Sequence, residues 1–201
     1  PRDSAAPGRA WNADRVRLVL CYGTIGFGNI IPATFIPVMA REIVRDPVVF
    51  GWAWPVFGVA AAASTFAAGL LARLLMNRRL WSLSHALMAL GVVLPVVSPG
   101  IAGIMSAALF VGGTFMVATM TGMQEARRVG QGQATVLMAA MTSAFAAGQI
   151  VGPLAVSYLV RAGGGFSEAL LVAGALLIAS AWTLFRSAAG LEDGDVRRNA
   201  R

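Results

Sequence analysis

Charge is scarce in this sequence. Only 12% of its 201 residues are charged, whereas 57% are hydrophobic, and an ordinary soluble domain has about 25% charged residues. Long stretches carry no charge at all and therefore offer no polar shell of the kind that a water-soluble fold requires. The composition favours a protein whose solvent is lipid.

Cysteine and histidine are almost absent as well. Cys21 is the only cysteine and His85 the only histidine, which excludes a disulfide framework or a Cys/His metal cluster within the chain. We expect neither a metal nor a cofactor. The sixteen basic residues are all arginines, and they form short clusters between apolar runs instead of one basic face. This distribution argues against a nucleic-acid partner.

Uncharged runs locate the predicted membrane spans. About 20 residues cross a bilayer, so the run over residues 80–124 must turn once, and Ser98-Pro99-Gly100 supplies a turn. The sequence thus predicts an all-α membrane protein of six transmembrane helices. These spans cover about residues 16–40, 48–74, 80–97, 101–124, 134–160 and 168–186.

The arginines predict the orientation. Six spans place both termini on one side, and all but three of the sixteen arginines then lie on that side, the exceptions being Arg41, Arg45 and Arg161. Because arginine is retained on the cytoplasmic side, we expect both termini in the cytoplasm and the chain in a bacterial inner membrane. The tryptophans lie near predicted span ends, where the interface favours indole rings: Trp11, Trp52, Trp54, Trp81 and Trp182.

A short internal sequence similarity suggests a repeat. STFAAG at residues 64–69, in the second predicted span, recurs as SAFAAG at residues 143–148, in the fifth. If the chain consists of two triplets of helices, the odd number of crossings inverts the second copy, as in many transporters. We therefore predict two inverted three-helix repeats.

Several motifs carry a family resemblance over residues 15–188. They are CYGTIGFGNIIPATFIP (21–37), FGWAWP (50–55), GGTFM (112–116), GMQEARR (122–128) and GQIVGP (148–153). The chain resembles the YbfB/YjiJ-type branch of the major facilitator superfamily, an uncharacterised branch. The resemblance implies a twelve-helix secondary transporter of which this chain is the C-terminal half, inactive without the N-terminal six-helix half.

The same resemblance sets the predicted domain limits and partners. Residues 1–14 would be a cytoplasmic linker at the end of the central loop, residues 15–188 the six-helix bundle, and residues 189–201 a cytoplasmic tail. The expected partners are the lipid bilayer, the N-terminal half, a small organic solute and a coupling ion or protons. A sequence near Gly69–Arg73 resembles the superfamily's cytoplasmic loop, but Arg73 replaces its acidic residue. A basic anchor is the other interpretation of this loop.

The first span is rich in residues that bend helices or allow close packing. Gly28, Pro32 and Pro37 are candidates for bending. Tyr22, Gly26 and Asn29 share one helix face by their spacing and are candidates for lining a solute cavity. Interhelical packing through small residues is the alternative.

The fourth span has the most polar stripe. Thr114 and Thr121 are further cavity candidates, and Glu125 continues their face at the cytoplasmic boundary. With Arg127 and Arg128, Glu125 could form a gate whose charge contacts differ between conformational states. The alternative is an interfacial carboxylate beside two arginines.

The fifth span combines close-packing and polar positions. Gly148, Gly152 and Pro153 predict tight helix contact and bending, and Gln149 is a cavity candidate. His85 in the third span could couple protons, although its position favours a polar anchor at the interface.

Two functions from other classes remain open. Six helices also suit a rhomboid-like intramembrane serine protease, but that chemistry needs a serine in a Gly-x-Ser-Gly setting and a histidine on a later helix. No such setting occurs in this sequence, and His85 precedes the plausible serines. A non-transporting membrane scaffold would not need the Gly- and Pro-rich first span. The prediction is therefore a transporter, not an enzyme.

Overall fold

Helices account for nearly all of the described chain. The computed structural model describes residues 11–43, 51–71 and 75–199. Within these ranges there are α-helices and one short 3-10 helix, and no strand. The helices are α1 (Ala13–Ile43), α2 (Ala53–Leu71), α3 (Asn77–Val97), α4 (Ile101–Gly130), α5 (Ala134–Arg161) and α6 (Phe166–Asn199), with the 3-10 helix at Gln131–Gln133. A helix satisfies its own backbone hydrogen bonds, as lipid requires.

Five stretches within these ranges are long and apolar enough to cross a membrane. They are Ala13–Thr34, Ala53–Leu71, Asn77–Val97, Ile101–Arg161 and Phe166–Gly190. The predicted all-helical membrane class is therefore found, with five such stretches where the sequence predicts six spans. The difference lies in the fourth stretch, which at 61 residues is about three times the length needed for one crossing.

The chain reverses direction inside this fourth stretch. The ring centroids of Phe115 in α4 and Phe145 in α5 are 6.2 Å apart, although a straight helix would separate residues at that spacing by about 45 Å. The reversal lies at the 3-10 helix, where Gln131 has a φ of 47°. A positive φ is common where a helix ends and the chain turns. Helices α4 and α5 are thus antiparallel neighbours.

The helix ends differ in part from the predicted limits. Helix α3 ends at Val97 and α4 begins at Ile101, around Gly100, whose φ of 134° favours glycine. Helix α1 begins inside the predicted linker, and the Asn12 side chain caps it by accepting a hydrogen bond from the Arg15 backbone N–H at 2.9 Å. Helix α6 runs to Asn199, through most of the predicted tail. Residues 1–10 lie outside the described ranges.

Helix packing places a common core between α1, α3, α4 and α6. Helix α1 packs against α5 and α6, α2 against α4, and α3 against both α4 and α6. Leu18, Ile25, Met88 and Leu177 are fully buried there. Helix α2 is the most exposed, and the Phe66 side chain on it is 80% accessible. The exposed surface is apolar, as expected for a protein surrounded by lipid and neighbouring helices.

The interfacial position predicted for one of the five tryptophans is wrong. Trp81 is fully buried and packs edge-on against the Tyr22 ring at 6.2 Å. Trp11, Trp52, Trp54 and Trp182 are all more than half exposed. Nearness to a span end does not distinguish an indole facing the interface from one facing the core, because that depends on the helix face.

Candidate functional site

A network of charged side chains joins the ends of three helices. Asp14 lies in the first turn of α1 with Arg17 three residues later, and Arg78 lies in the first turn of α3. The Arg78 guanidinium donates two hydrogen bonds to the Asp14 carboxylate, at 2.8 and 2.6 Å. A third, from Nε, reaches Oε1 of Glu125 in α4 at 2.5 Å. One arginine therefore binds carboxylates from two other helices.

Arg128 and Arg17 complete the network. Arg128, one turn beyond Glu125 on α4, donates to both Glu125 oxygens at 2.9 and 2.8 Å. Arg17 donates to Asp14 at 3.1 Å. Two carboxylates thus meet three guanidinium groups, which leaves a net charge of one positive unit.

Burial divides this network into an inner and an outer part. The Glu125 side chain is 0% exposed and that of Arg78 only 3%, whereas Asp14 and Arg128 are 31% and 49% exposed. A buried ion pair is tolerable only when further hydrogen bonds satisfy both partners, and here every Glu125 oxygen is bound. Removing one inner partner would leave an uncompensated buried charge, so α1, α3 and α4 are strongly held together at this end.

The sequence identified only part of this network. Glu125 and Arg128, two of the three gate candidates, pair in this network, and the third, Arg127, is not among its members. The sequence places Asp14 in a linker and Arg78 in a basic loop, and so identifies neither as a site residue. Their partners are 64 and 47 positions away in sequence, and no local pattern reveals such pairs. The available signal is that Glu125 is the only acidic residue in the sequence of α4, Ile101–Gly130.

The two threonines of the polar stripe are buried on α4, where Thr121 lies one turn before Glu125 and Thr114 lies about three turns before it. Each hydroxyl donates to its own helix, from Thr114 to the Phe110 carbonyl and from Thr121 to the Val117 carbonyl, both at 2.7 Å. Such bonds satisfy the hydroxyl hydrogen within the helix. The oxygens still have lone pairs that can accept a further hydrogen bond.

The first-span candidates lie in three different environments. Tyr22 is buried against the rings of Trp81 and Phe145. A Cβ atom added to Gly26 would lie 2.1 Å from the Phe145 carbonyl oxygen, so α5 fills the notch predicted there. Asn29 is 9% exposed, and its Oδ1 has no hydrogen-bond partner among the described residues. Asn29 is therefore the member of this face with unused polar capacity.

Glycines form a close seam between α1 and α5. An added Cβ on Gly148 would lie 2.4 Å from the Gly23 carbonyl oxygen, and one on Gly152 would lie 2.5 Å from the Ile30 side chain. Gln149, next to Gly148, is only partly buried. Small residues allow such backbone approach in lipid.

The residues predicted to bend helices lie within continuous helices. Helix α1 runs without interruption through Pro32, which is buried, and α5 through Pro153. The side chain of Pro37 lies outside the described part of the structure, as does Arg73. An added Cβ on Gly28 would lie 2.6 Å from the Leu177 side chain, so Gly28 provides space for α6.

His85 is not at the interface, and the predicted role as an interfacial anchor is wrong. It is fully buried, with Nδ1 3.0 Å from the Trp81 carbonyl oxygen and Nε2 3.2 Å from the Cys21 carbonyl oxygen. Both ring nitrogens thus face carbonyl oxygens, an arrangement that does not support a serine–histidine pair. Within the described ranges, no group of three His, Cys, Asp or Glu side chains could hold a metal ion.

Apolar helices joined by a buried ion-pair network define a multi-pass helical membrane protein, and the sequence comparisons specify its family. Residues 2–184 match the family described as the uncharacterised MFS-type transporter YbfB. The chain therefore belongs to this family of the major facilitator superfamily, as its motifs indicated, and has a role in membrane transport. No curated protein matches the chain.

Proposed function

We propose that this chain is the C-terminal six-helix half of a secondary active transporter. It moves a small organic solute by alternating access, with coupling to ions or protons. The observation that carries the proposal is the buried network of Arg78 with Glu125 and Asp14. Charged groups that hold helix ends together in a low-dielectric setting and become hydrated on separation suit a protein with two alternating states.

The reversal between α4 and α5 supports six crossings. Phe115 and Phe145 are in contact across it, so the 61-residue stretch enters and leaves the membrane as two helices. Together with α1, α2, α3 and α6 this gives six.

The helix contacts support the inverted repeat. An inverted repeat makes α1 equivalent to α4, α2 to α5 and α3 to α6. Under this equivalence the α1–α5 contact corresponds to the α4–α2 contact, and the α3–α6 contact corresponds to itself. These pairs are among the principal contacts of the bundle. A pseudo-twofold axis in the membrane plane would produce this pattern.

Orientation follows from the charges at the two ends. The network lies at the end of the bundle where α1 and α3 begin and α4 ends. Two further arginines, Arg79 and Arg127, adjoin its members Arg78 and Arg128 in sequence. Retention of arginine on the cytoplasmic side makes this the cytoplasmic end of a protein in the bacterial inner membrane. A closed network then corresponds to a state in which the cytoplasmic ends of α1, α3 and α4 are together.

The solute is a small, amphipathic or weakly polar organic molecule. Asn29 has an unused amide oxygen acceptor, and the Thr114 and Thr121 hydroxyls can each accept a further hydrogen bond. Few polar groups in an apolar lining fix the orientation of a ligand without requiring it to be charged. The N-terminal half is expected to complete the cavity.

Neutralising the buried carboxylate is expected to impair transport without preventing accumulation of the protein. In Glu125→Gln the amide oxygen still accepts a hydrogen bond from Arg78, but the charge that opposes two arginines is lost. We expect the transport rate to fall about tenfold or more, since each change of about 1.4 kcal/mol between states alters a population tenfold. The assay is uptake by proteoliposomes carrying the complete transporter and a panel of small organic solutes.

The matched control is Glu168→Gln at the other end of the bundle. Glu168 is exposed and accepts a hydrogen bond from the Gly165 backbone at 2.6 Å. Its neutralisation should leave uptake unchanged. Wild-type uptake in Glu125→Gln would remove Glu125 from the mechanism.

Assignment as a half-transporter has a separate test in the gene. The DNA upstream of Pro1, read in frame, should encode six further apolar spans. A start codon immediately before Pro1 would contradict this assignment and favour a self-contained six-helix protein.

A further inference from the structure

Two phenylalanine rings meet between α4 and α5 near the middle of the membrane. The ring centroids of Phe115 and Phe145 are 6.2 Å apart at an interplanar angle of 44°, and both side chains are only partly buried. Phe145 lies twelve residues beyond Gln133 and Phe115 sixteen residues before Gln131, or about 18 and 24 Å from the chain reversal. Half the thickness of a bilayer with its headgroups is about 20 Å, and the solute sites of secondary transporters lie near this midplane.

Three polar side chains lie close to these rings on the same helices. The Thr119 hydroxyl donates to the Met116 carbonyl at 3.0 Å and the Thr142 hydroxyl to the Met138 carbonyl at 2.9 Å, and both hydrogen bonds lie at the surface of the chain. The hydroxyl lone pairs can accept a further hydrogen bond. Gln149 is partly buried, and no hydrogen bond joins its amide to another residue of the described ranges. Because an amide without a partner is costly in hydrocarbon, this surface suits a hydrated cavity better than lipid.

Helix α1 covers one side of α5 and leaves the other side open. A Cβ atom added to Gly148 would lie 2.4 Å from the Gly23 carbonyl oxygen, so Gly148 faces α1. Thr142 and Gln149 lie on the other side of Phe145, since each residue of a helix is rotated by about 100° from the last. The Thr142 side chain is exposed, which shows that this side has no covering helix within the described chain.

The rings and the polar groups share one open surface. Helices α4 and α5 are antiparallel, so side chains rotated in the same sense from the Phe115–Phe145 contact lie on the same side of the helix pair. Thr119 is rotated by about 40° from Phe115, as Gln149 is from Phe145. The α4–α5 face therefore consists of Phe115, Thr119, Thr142, Phe145 and Gln149.

This α4–α5 face has no charged side chain. Residues 101–124 and 134–160 contain no Asp, Glu, Lys, Arg or His. Further along α4, Glu125 is already bound by Arg78 and Arg128. A charged solute would have no free counter-ion here and would lose its hydration, whereas aromatic rings bind other rings in edge-on or offset contact. The face thus suits an uncharged solute with an aromatic ring and a hydrogen-bonding group.

We propose that the α4–α5 face binds the aromatic ring of an uncharged solute. The ring packs against Phe115 and Phe145, and a hydroxyl or amide group of the solute hydrogen-bonds to Gln149 or donates to a threonine hydroxyl oxygen. The inference rests on the proposed transport function, for which it specifies the class of solute. Phe115 and Phe145 then determine specificity for aromatic over saturated solutes.

Cysteine modification tests whether this face lines a hydrated cavity. The experiment uses the complete transporter in detergent, in a Cys21→Ala background, with a positively charged methanethiosulfonate reagent that reacts with thiolates in water. Ala146→Cys places a thiol next to Phe145 at an exposed position and leaves every group of the face intact. The matched control is Leu90→Cys, which is 47% exposed at a similar depth on α3. We expect modification of Ala146→Cys alone, and equal modification of both variants or none of Ala146→Cys would overturn the proposal.

Protection of the Ala146→Cys thiol by added solutes measures binding. The probes are benzamide and cyclohexanecarboxamide, which have the same amide on an aromatic and on a saturated ring. We expect benzamide to give half-maximal protection at an about fivefold lower concentration, the effect of one aromatic contact. Equal protection by the two probes, or none by either, would contradict the proposal. Stronger protection by benzylammonium or benzoate than by benzamide would contradict an uncharged solute.

Substitutions separate the contribution of the rings from that of the amide. Phe115→Leu and Phe145→Leu should each remove the preference for benzamide, and Phe115→Tyr should keep it. Gln149→Leu should weaken protection by both probes about fivefold, the effect of one hydrogen bond, without changing their ratio. The matched control is Phe185→Leu, an exposed ring on α6, which should behave as the parent protein. An unchanged preference in both Phe115→Leu and Phe145→Leu would overturn the proposal.

Failure of this inference is distinguishable from failure of the proposed function. Transport by proteoliposomes without any preference for aromatic solutes would refute the inference and leave the transporter assignment intact. Binding of benzamide at the α4–α5 face without transport of any solute would refute the transporter assignment and leave the binding face intact.

Discussion

Gly148→Ala is expected to destabilise the chain by about 3 kcal/mol, at the upper end of the cost of overpacking. The added methyl group would lie 2.4 Å from the Gly23 carbonyl oxygen and 2.8 Å from the Phe27 backbone nitrogen. Both neighbours are backbone atoms of α1, so no side chain can move aside and the two helices must separate. The free energy of unfolding in mixed detergent micelles measures the effect.

The similarity between residues 64–69 and 143–148 offers a matched control for Gly148→Ala. Gly69 in α2 occupies the position that corresponds to Gly148, but an added Cβ there meets no atom within 4 Å. Gly69→Ala should therefore be neutral or stabilise the helix by up to about 1 kcal/mol, since alanine favours helix more than glycine does. Equal effects of the two substitutions would show that the α1–α5 seam is not closely packed.

Truncation of the buried Glu125 side chain is expected to have the second large effect on the free energy of unfolding. Glu125→Ala leaves Arg78, which is 3% exposed, without one of its two carboxylates and removes the partner of Arg128. Breaking a buried pair by removing one member costs about 3–5 kcal/mol, and we expect about 4 kcal/mol here. Unfolding in the same micelles provides the measurement.

A double-mutant cycle separates the pair from the loss of packing. Arg78→Met with Glu125→Met removes both charges, and Asp14 keeps Arg17 as a partner at 3.1 Å. The double variant should be less destabilised than the sum of the single variants by about 2 kcal/mol, within the range for residues in one network. Arg17→Gln, in the more exposed pair, should cost no more than about 1 kcal/mol. Additive effects of Arg78→Met and Glu125→Met would contradict the proposed coupling.

Hydropathy predicts the helical part of this fold because bilayer thickness fixes the length of an apolar span. The turn between α3 and α4 follows from Ser98-Pro99-Gly100, since proline and glycine disfavour helix there. Hydropathy does not predict the start of α1 at Ala13 or the end of α6 at Asn199, because a helix can continue beyond the lipid into polar sequence. Asp14 therefore belongs to α1, although the family resemblance predicts a linker over residues 1–14.

The candidate site was less predictable because its members come from distant helices. Helical spacing correctly groups Thr114, Thr121 and Glu125 on one buried face. Spacing within one helix does not show which neighbour covers that face, so it cannot reveal Arg78 as the partner of Glu125. For the same reason the sequence predicts Trp81 and His85 at the interface, whereas Trp81 lies in the core against Tyr22 and His85 lies there against the Cys21 carbonyl oxygen.

The central claim is that α4 and α5 are separate crossings, so that the chain crosses the membrane six times. Cysteine accessibility tests it directly in a Cys21→Ala background, because Cys21 is the only native cysteine. Gly132→Cys and Ala162→Cys place a thiol at either end of α5, at exposed positions. A membrane-impermeant maleimide should label Ala162→Cys in right-side-out vesicles and Gly132→Cys only in inverted vesicles. Labelling of both positions from the same side would contradict the six-crossing account.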